Sequence, residues 1–399
     1  MKRIYSIIAA FVIVVLSSCG KDNGGNGGGT KKSYIYPPDR TDWVDADPAK
    51  YNFDPVKIQA AYDYIASTKV TSSMWIVGGE CILKYGPIAS FKGYMASCRK
   101  SVLAMLYGKY VENGTINLNT TIGELGLTDT IEAGYEDYPD GLTPKEKRAT
   151  IGHLITARSG VYHDASNDGS SAGTIPRDTY EPGTHYLYNN WDFNAAGFVL
   201  EKLVKGKKAP STDGKEIYQI LQADLAQPIG MADWDIGAQR YGGDLKKSIY
   251  PAYHIYVTAR DMARIAYLML RKGQWKGKQI ISEKWVKEIT RTVSTLEEVG
   301  SNGVFSYGYM WWLFDRNAKT FSGVYDGAYM ACGHAGQYML IMPKLDMVAV
   351  WKTTTSGNNS TSRSDFMKAL DLVIKAYNGE IHYDESSLDD IVFDEEPDF

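Results

Sequence analysis

Cysteine is scarce in this chain, with four among 399 residues, at positions 19, 81, 98 and 332. Beyond Cys19 the remaining three follow no spacing pattern, which excludes a disulfide framework and leaves open only a single bridge between Cys98 and Cys332. Long apolar runs are missing too. The unbroken stretch 7–16 has ten residues, too few to cross ~30 Å of hydrocarbon as a helix. Neither sign of charge dominates, since 43 basic residues face 47 acidic ones, so there is no basic footprint for nucleic acid. The six histidines lie at 153, 163, 185, 254, 334 and 382 with no His-Glu-x-x-His and no close pair, so no metal site and no cofactor is expected. Internal repeats and heptads are absent as well. An apolar fraction of 44% with 23% charged residues is ordinary for a globular chain and excludes a largely disordered, collagen-like or multi-span membrane protein.

What is present begins with an address. Met1-Lys2-Arg3 is a basic start, residues 7–16 fit a signal-peptide core, and Leu16-Ser17-Ser18-Cys19 closes it. That tetrapeptide resembles the bacterial lipobox, which implies removal of residues 1–18 and lipidation of Cys19. The Gly-rich stretch from Gly20 to Gly29 reads as a flexible tether, with residues 19–50 as lipidated Cys and linker. The expectation is an exported bacterial lipoprotein held by its lipid anchor on the periplasmic or cell-surface side of a membrane. At the other end residues 381–399 form an acidic tail, with eight acids and no basic residue between Asp384 and Asp398.

The body, residues 51–380, is expected to be one α/β unit. Asp54-Pro55 starts a helix to about Ser67, with Ile58, Ala61, Tyr62 and Ile65 on its inner face. Residues 74–79 and 81–85 predict a hairpin turning at Gly78-Gly79-Glu80. A helix begins near Ser97, another spans about 194–204, and Thr258 with Asp261 marks a third N-terminus. Residues 307–314 predict an aromatic strand, 337–342 and 347–352 a strand pair, and 363–378 a last helix. Strands thus lie in about 51–95 and 257–380, with a helix-rich part at about 96–256. The pattern predicts one antiparallel sheet built from both ends, flanked by helices, with an all-helical domain inserted.

Three short motifs carry chemistry. In Ser97-Cys98-Arg99-Lys100, positions i and i+3 share a helix face, so the Lys100 amine reaches the Ser97 hydroxyl. A serine is a weak nucleophile until a neighbouring base takes its proton, and a helix N-terminus favours the negative charge that develops. In Tyr188-Asn189-Asn190 a loop aims a phenol and an amide one way. In His334-Ala335-Gly336 small residues at the entry to a strand permit close approach of a ligand. An edge strand there would pair with an acyl chain, and the N–H groups of Ser97 and Gln337 would form an oxyanion hole.

The order of these motifs resembles that of the serine penicillin-recognising superfamily, which spans class C β-lactamases, D-Ala-D-Ala carboxypeptidases and related esterases and amide hydrolases. Its pattern is Ser-x-x-Lys, Tyr-x-Asn, then Lys- or His-x-Gly. Residues 151–160, 188–197 and 257–264, and Tyr307-Gly308-Tyr309-Met310-Trp311-Trp312, resemble its flanking segments, so the likeness covers about 55–378. The flanks are most similar to the branch of 6-aminohexanoate-dimer hydrolases. The resemblance implies a β-lactamase/transpeptidase-like fold with its site where sheet and helical domain meet. It also implies an acyl-enzyme on Ser97, with Lys100 and Tyr188 sharing the base role. Asn190 would hold Lys100 and substrate, and His334, Gly336 and Gln337 would line the substrate and oxyanion side. The third motif departs from Lys-Thr-Gly, which disfavours a carboxylate-bearing β-lactam and favours a neutral ester or amide, with small molecules or peptides as partners. Carboxypeptidase or β-lactamase activity is the nearest alternative, and a non-catalytic ligand-binding lipoprotein is the alternative of another class. A thiol enzyme is disfavoured because Cys98 sits ~100° around the helix from Ser97.

Overall fold

The structure, a computed structural model, describes residues 34–167, 175–300, 304–314, 323–356 and 359–379. The lipobox, Cys19 and the acidic tail lie outside the described residues. In chain order the strands are β1 (Ser72–Val77), β2 (Glu80–Tyr85), β3 (Gly93–Tyr94), β4 (Arg240–Gly242), β5 (Ala252–His254), β6 (Tyr256–Val257), β7 (Gln274–Trp275), β8 (Lys278–Gln279), β9 (Phe305–Tyr307), β10 (Trp312–Phe314), β11 (Tyr329–Gly333), β12 (Gln337–Met342) and β13 (Met347–Lys352). The helices are α1 (Pro55–Ser67), α2 (Cys98–Glu112), α3 (Ile151–Leu154), α4 (Asn190–Lys205), α5 (Glu216–Leu221), α6 (Ala259–Leu270), α7 (Glu283–Ile289), α8 (Leu296–Val299) and α9 (Arg363–Lys375).

One antiparallel sheet runs in the order β2-β1-β13-β12-β11-β10-β9. Its first two strands precede the helix-rich part and its other five follow it, so the sheet is assembled from both ends as the pattern predicts. Central pairing is in strict register, Trp75 opposite Ala349 and Gln337 opposite Lys352. The β1–β2 turn needs its glycines, because Gly78 and Gly79 both have positive φ and a Cβ on Gly79 would land 2.2 Å from the Ile35 carbonyl oxygen. On one sheet face α9 sets Phe366 among Trp75, Tyr338 and Trp351, and α1 packs beside α9. Strand alternation turns the other face toward α6 and α2.

Local chemistry sets the helix starts. Asp54 accepts from the N–H groups of Val56 and Lys57 ahead of α1, and Thr258 accepts from that of Asp261 ahead of α6. Three expectations change. Tyr62 lies at the surface, its ring edge-on to Tyr85, while Ile58, Ala61 and Ile65 go inside. Residues 307–314 form two strands rather than one: β9 and β10 pair antiparallel, and the chain reverses at Gly308–Trp311, where Met310 has a positive φ. A Cβ on Gly308 would meet the Ile289 carbonyl oxygen at 2.6 Å, so the turn is wedged against the end of α7. The packed body also starts earlier than residue 51. Trp43 is buried with its indole N–H on the Arg260 carbonyl, and Asp45 bridges to Cys81.

Candidate active site

Ser97 sits where the chain leaves β3 and enters α2. β3 pairs with β6, and the Met95 N–H bonds the Ile255 carbonyl, which pins the approach. Ala96 then takes a φ of 47°, a left-handed conformation that a side chain resists by ~1–2 kcal/mol. Ser97 occupies the N-cap position of α2, yet its side chain makes no capping bond, so the hydroxyl stays available beside the positive end of the helix.

Lys100 is one turn along. Its Nζ donates to Tyr188 Oη and to Asn190 Oδ1, each at 2.5 Å. It lies 4.1 Å from the centre of the Tyr188 ring and 4.6 Å from that of Phe193. Ser97 lies beside the Tyr188 phenol and opposes the rise of its pKa. Phenol, amine and amide therefore form one hydrogen-bonded set next to the Ser97 hydroxyl, made by α2, the loop before α4, and α4 itself. Tyr188 and Asn190 do not share a loop: Asn190 is the first residue of α4, which starts four residues earlier than the apolar pattern suggests. Asn189 between them caps α4 by accepting from Trp191 N–H and donates to the carbonyls of Val161 and His163. That clamp fixes the loop from which Tyr188 projects.

Electrostatics follows from burial. Lys100 is fully buried, and among the described residues no carboxylate pairs with it. Desolvation first, and the neighbouring Arg99 charge second, push its amine well below the ordinary lysine range. Burial pushes the Tyr188 phenol upward, opposed by Ser97 beside it. Burial therefore favours the uncharged form of both the amine and the phenol. Rings of Phe193, Tyr307 and Trp312 pack around Tyr188 with centroids 5.0, 6.1 and 5.8 Å away.

The third motif is placed differently from expectation. His334, Ala335 and Gly336 form the exposed-tipped turn between β11 and β12, with Ala335 and Gly336 both at positive φ. Gly336 makes its close approach inside the chain, since a Cβ there would fall 1.8 Å from Thr361 Oγ1. Gln337 is fully buried in β12, its side-chain amide donating to the Thr353 carbonyl at 2.6 Å. β12 is no edge strand, because β11 and β13 pair with it on both sides. The open edge belongs to the end of β11: β10 reaches only as far as Met330, and among the described residues no strand pairs with Ala331–Gly333 on that side. Gly333 meets the turn that carries Ser97, its missing Cβ 2.7 Å from the Met95 carbonyl oxygen and 3.0 Å from Ser97 N. The sequence did offer this glycine, one residue before the motif.

Other expectations separate cleanly. Cys98 points away from Ser97, its thiol on the Gln337 carbonyl at 3.2 Å, and burial pushes that thiol well up. Among the described residues Cys81, Cys98 and Cys332 form no disulfide, so the Cys98–Cys332 bridge is not made. Trp191 is core, with Nε1 on Asp129 Oδ2, whereas Trp312 is a wall beside Tyr188. Sequence reasoning missed Arg99, fully buried with Nη2 on Asn194 Oδ1 at 2.7 Å, and Lys352, a buried lysine lowered to about 8 by desolvation that holds the Gly93 carbonyl of β3 at 3.2 Å.

Comparison with known proteins bears on the family and the fold. The family model for Beta-lactamase matches residues 94–374. An uncharacterized protein of Alkalihalophilus pseudofirmus is 28% identical over 102 residues, which is 24% of this chain and 29% of that relative's length. Among solved structures, a candidate 6-aminohexanoate-dimer hydrolase from Bacillus anthracis aligns over 86% of this chain and 88% of its own at 19% identity and a TM-score of 0.58. A family VIII carboxylesterase aligns over 84% and 98% at 14% identity and 0.57. A penicillin-binding-protein homologue from Caulobacter crescentus aligns over 84% and 100% at 12% identity and 0.56. At these identities the structures speak for the fold. The family match spans well over half the chain, and the chain belongs to the Beta-lactamase family of serine hydrolases.

Proposed function

We propose that this family member cleaves an ester or amide bond through an acyl-enzyme on Ser97. The observation that carries the proposal is the hydrogen-bonded set of Tyr188, Lys100 and Asn190 beside Ser97, with a buried amine that has no carboxylate partner among the described residues. With the Lys100 amine neutral, one N–H goes to Asn190 Oδ1 and the lone pair faces the Tyr188 hydroxyl, so that Nζ accepts the phenol proton as the phenol takes that of Ser97. The Tyr188 phenol, too weak an acid to ionise near neutrality, relays the Ser97 proton as Oγ attacks the acyl carbon. The same pair then activates water to release the acyl group. The N–H of Ser97 supplies one oxyanion donor. The strand-side donor is assigned to the end of β11 at Gly333–His334, which lies against Ser97, rather than to Gln337.

The turn at 334–336 carries no lysine for a substrate carboxylate. This favours a neutral ester or amide over a β-lactam or a D-Ala-D-Ala peptide. The protein is further proposed to work as an exported lipoprotein anchored through Cys19, with radiolabelled palmitate incorporation lost in Cys19→Ala as the test. For the chemistry, the protein is incubated with a fluorophosphonate and the labelled peptide is mapped, and p-nitrophenyl ester turnover is measured for the wild type and Ser97→Ala. Labelling at Ser97 and a loss of at least ~10³-fold in kcat/KM are expected. Labelling elsewhere, or full activity in Ser97→Ala, overturns the mechanism. Turnover of penicillin in place of the neutral ester would shift the substrate class to the β-lactam alternative. A folded protein with neither activity would support the ligand-binding alternative.

A further inference from the structure

α2 and α4 are joined by two contacts, made by consecutive residues of α2 and by residues one helical turn apart on α4. One is Lys100 to Asn190, which belongs to the catalytic set. The other is Arg99 to Asn194, which the mechanism does not use. Arg99 is unusual in its surroundings. It is 1% exposed, its Nη1 has no hydrogen-bond partner, and among the described residues no carboxylate forms an ion pair with it. What surrounds it is uncharged: the Asn194 amide oxygen, the Tyr253 ring face 4.2 Å from Cζ, and the phenol of Tyr94.

A buried guanidinium is costly unless something compensates it. Were it paired with a carboxylate, the pair would be close to neutral and would exert little field at Lys100. Left unpaired, it projects a full positive charge through a low-dielectric interior onto the next residue of the helix. We propose that Arg99 is a positioning residue of the catalytic base: its buried, carboxylate-free guanidinium keeps the Lys100 amine uncharged and its lone pair free for the Ser97 proton. The inference rests on the acyl-enzyme reading of Ser97 given above and adds to it the residue that holds the base ready.

The other ionisable groups around the pair do not cancel this charge. On α2, the Cys98 thiol is pushed up by burial and stays neutral. On α4, the Asp192 carboxyl is bonded by the Ser159 hydroxyl and is pushed well up by burial. On β5, His254 is pushed down to about 3, first by burial and then by Arg99 itself, so it is neutral too. Burial likewise raises the phenols of Tyr94, Tyr188, Tyr218 and Tyr253. Glu201, farther along α4, is taken up by Lys207 and Tyr241. Lys352 adds a further amine beside Cys98 rather than an anion.

The test is the pH profile of kcat/KM on a p-nitrophenyl ester for the full chain. Arg99→Met removes the charge and keeps the stem. Its acid limb is expected to move up by ~1 pH unit, a tenfold loss on the limb, with the high-pH plateau kept. Arg99→Lys is expected to restore the limb. Asn194→Asp neutralises the guanidinium in place, giving up the amide bond to Asn167 Oδ1, and it is expected to move the limb in the same direction even if Arg99→Met fails to fold. A uniform loss at every pH, with the limb at its wild-type position in Asn194→Asp, would show a merely structural role and overturn the inference. Fluorophosphonate labelling of wild-type Ser97 separates the two failures. Without it the acyl-enzyme reading falls, whereas labelling with an unmoved limb removes only the role of Arg99.

Discussion

Two of the places where this molecule buries cations treat them in opposite ways. In the helix-rich part, Arg177 is saturated: Nε donates to Glu146 Oε1 at 2.8 Å, Nη1 to Glu132 Oε2 at 2.9 Å, and Nη2 to the Gly141 carbonyl and to Glu146. Burial opposes its charge, but the two carboxylates outweigh burial and hold it protonated. At the α2–α4 contact, Lys100 and Arg99 are buried more deeply still, with only amide, phenol and ring partners. There burial wins and the amine is driven toward its neutral form. The difference is one of carboxylates as well as of depth. A paired buried charge fixes structure, while an unpaired one holds chemical potential that a reaction can draw on.

Two substitutions break the contrast from either side. Lys100→Met is expected to lower kcat/KM by ~10³-fold, the size of a lost general base. Its effect on stability should run the other way. The folded amine sits below its unfolded value of 10.5, so between those values the unfolded chain binds the extra proton, and this group opposes folding until pH approaches 10.5. Lys100→Met should therefore melt at or above the wild-type temperature at pH 7, and any gain should shrink at pH 10. A melting temperature well below wild type at pH 7 would mean that Lys100 is structural. Glu146→Leu is the counterpart. It strands Arg177 with half of its counter-charge and should destabilise by ~3–5 kcal/mol in urea unfolding, with kcat of the folded fraction unchanged. An activity loss without a stability loss would dissolve the distinction between the two regions.

How much of this was legible beforehand differs by scale. The strands at 72–85 and 337–352 could be read from apolar runs bounded by Gly78-Gly79 and Pro343, and the start of α1 from Asp54-Pro55, because those signals are local. Ser97, Lys100 and Tyr188 could be found as motifs, since the i, i+3 spacing is itself a helix property. Met310 hid the β9–β10 reversal, because a non-glycine residue at φ 60° gives no turn signal and the strain is held by packing on α7. The role of Arg99 was hidden for a different reason. Its importance lies in the absence of a carboxylate around it, which is a property of four elements packed together and not of any one of them.

Glycine carries the finest version of the comparison, because two glycines three residues apart serve the two purposes separately. Gly336 has a φ of 82° and leaves no room beside Thr361, so Gly336→Ala strains the β11–β12 turn against the chain's own wall. Gly333 has an ordinary backbone conformation. Its missing Cβ faces Met95, Ala96 and Ser97, so Gly333→Ala pushes directly on the turn that presents the nucleophile. Because the contacts are main-chain atoms and the Ala96 Cβ, they cannot yield by a rotamer change. Displacement of Ser97 relative to Tyr188 by a fraction of an ångström is the outcome, worth ~10- to 10²-fold in kcat. Gly336→Ala should instead lower the melting temperature and leave kcat of the folded fraction close to wild type. Thermal melts combined with active-site titration by a fluorophosphonate separate the two. If Gly336→Ala loses catalysis and Gly333→Ala keeps it, the strand-side wall of the site lies at the turn, as the motif alone suggested, and not at the end of β11.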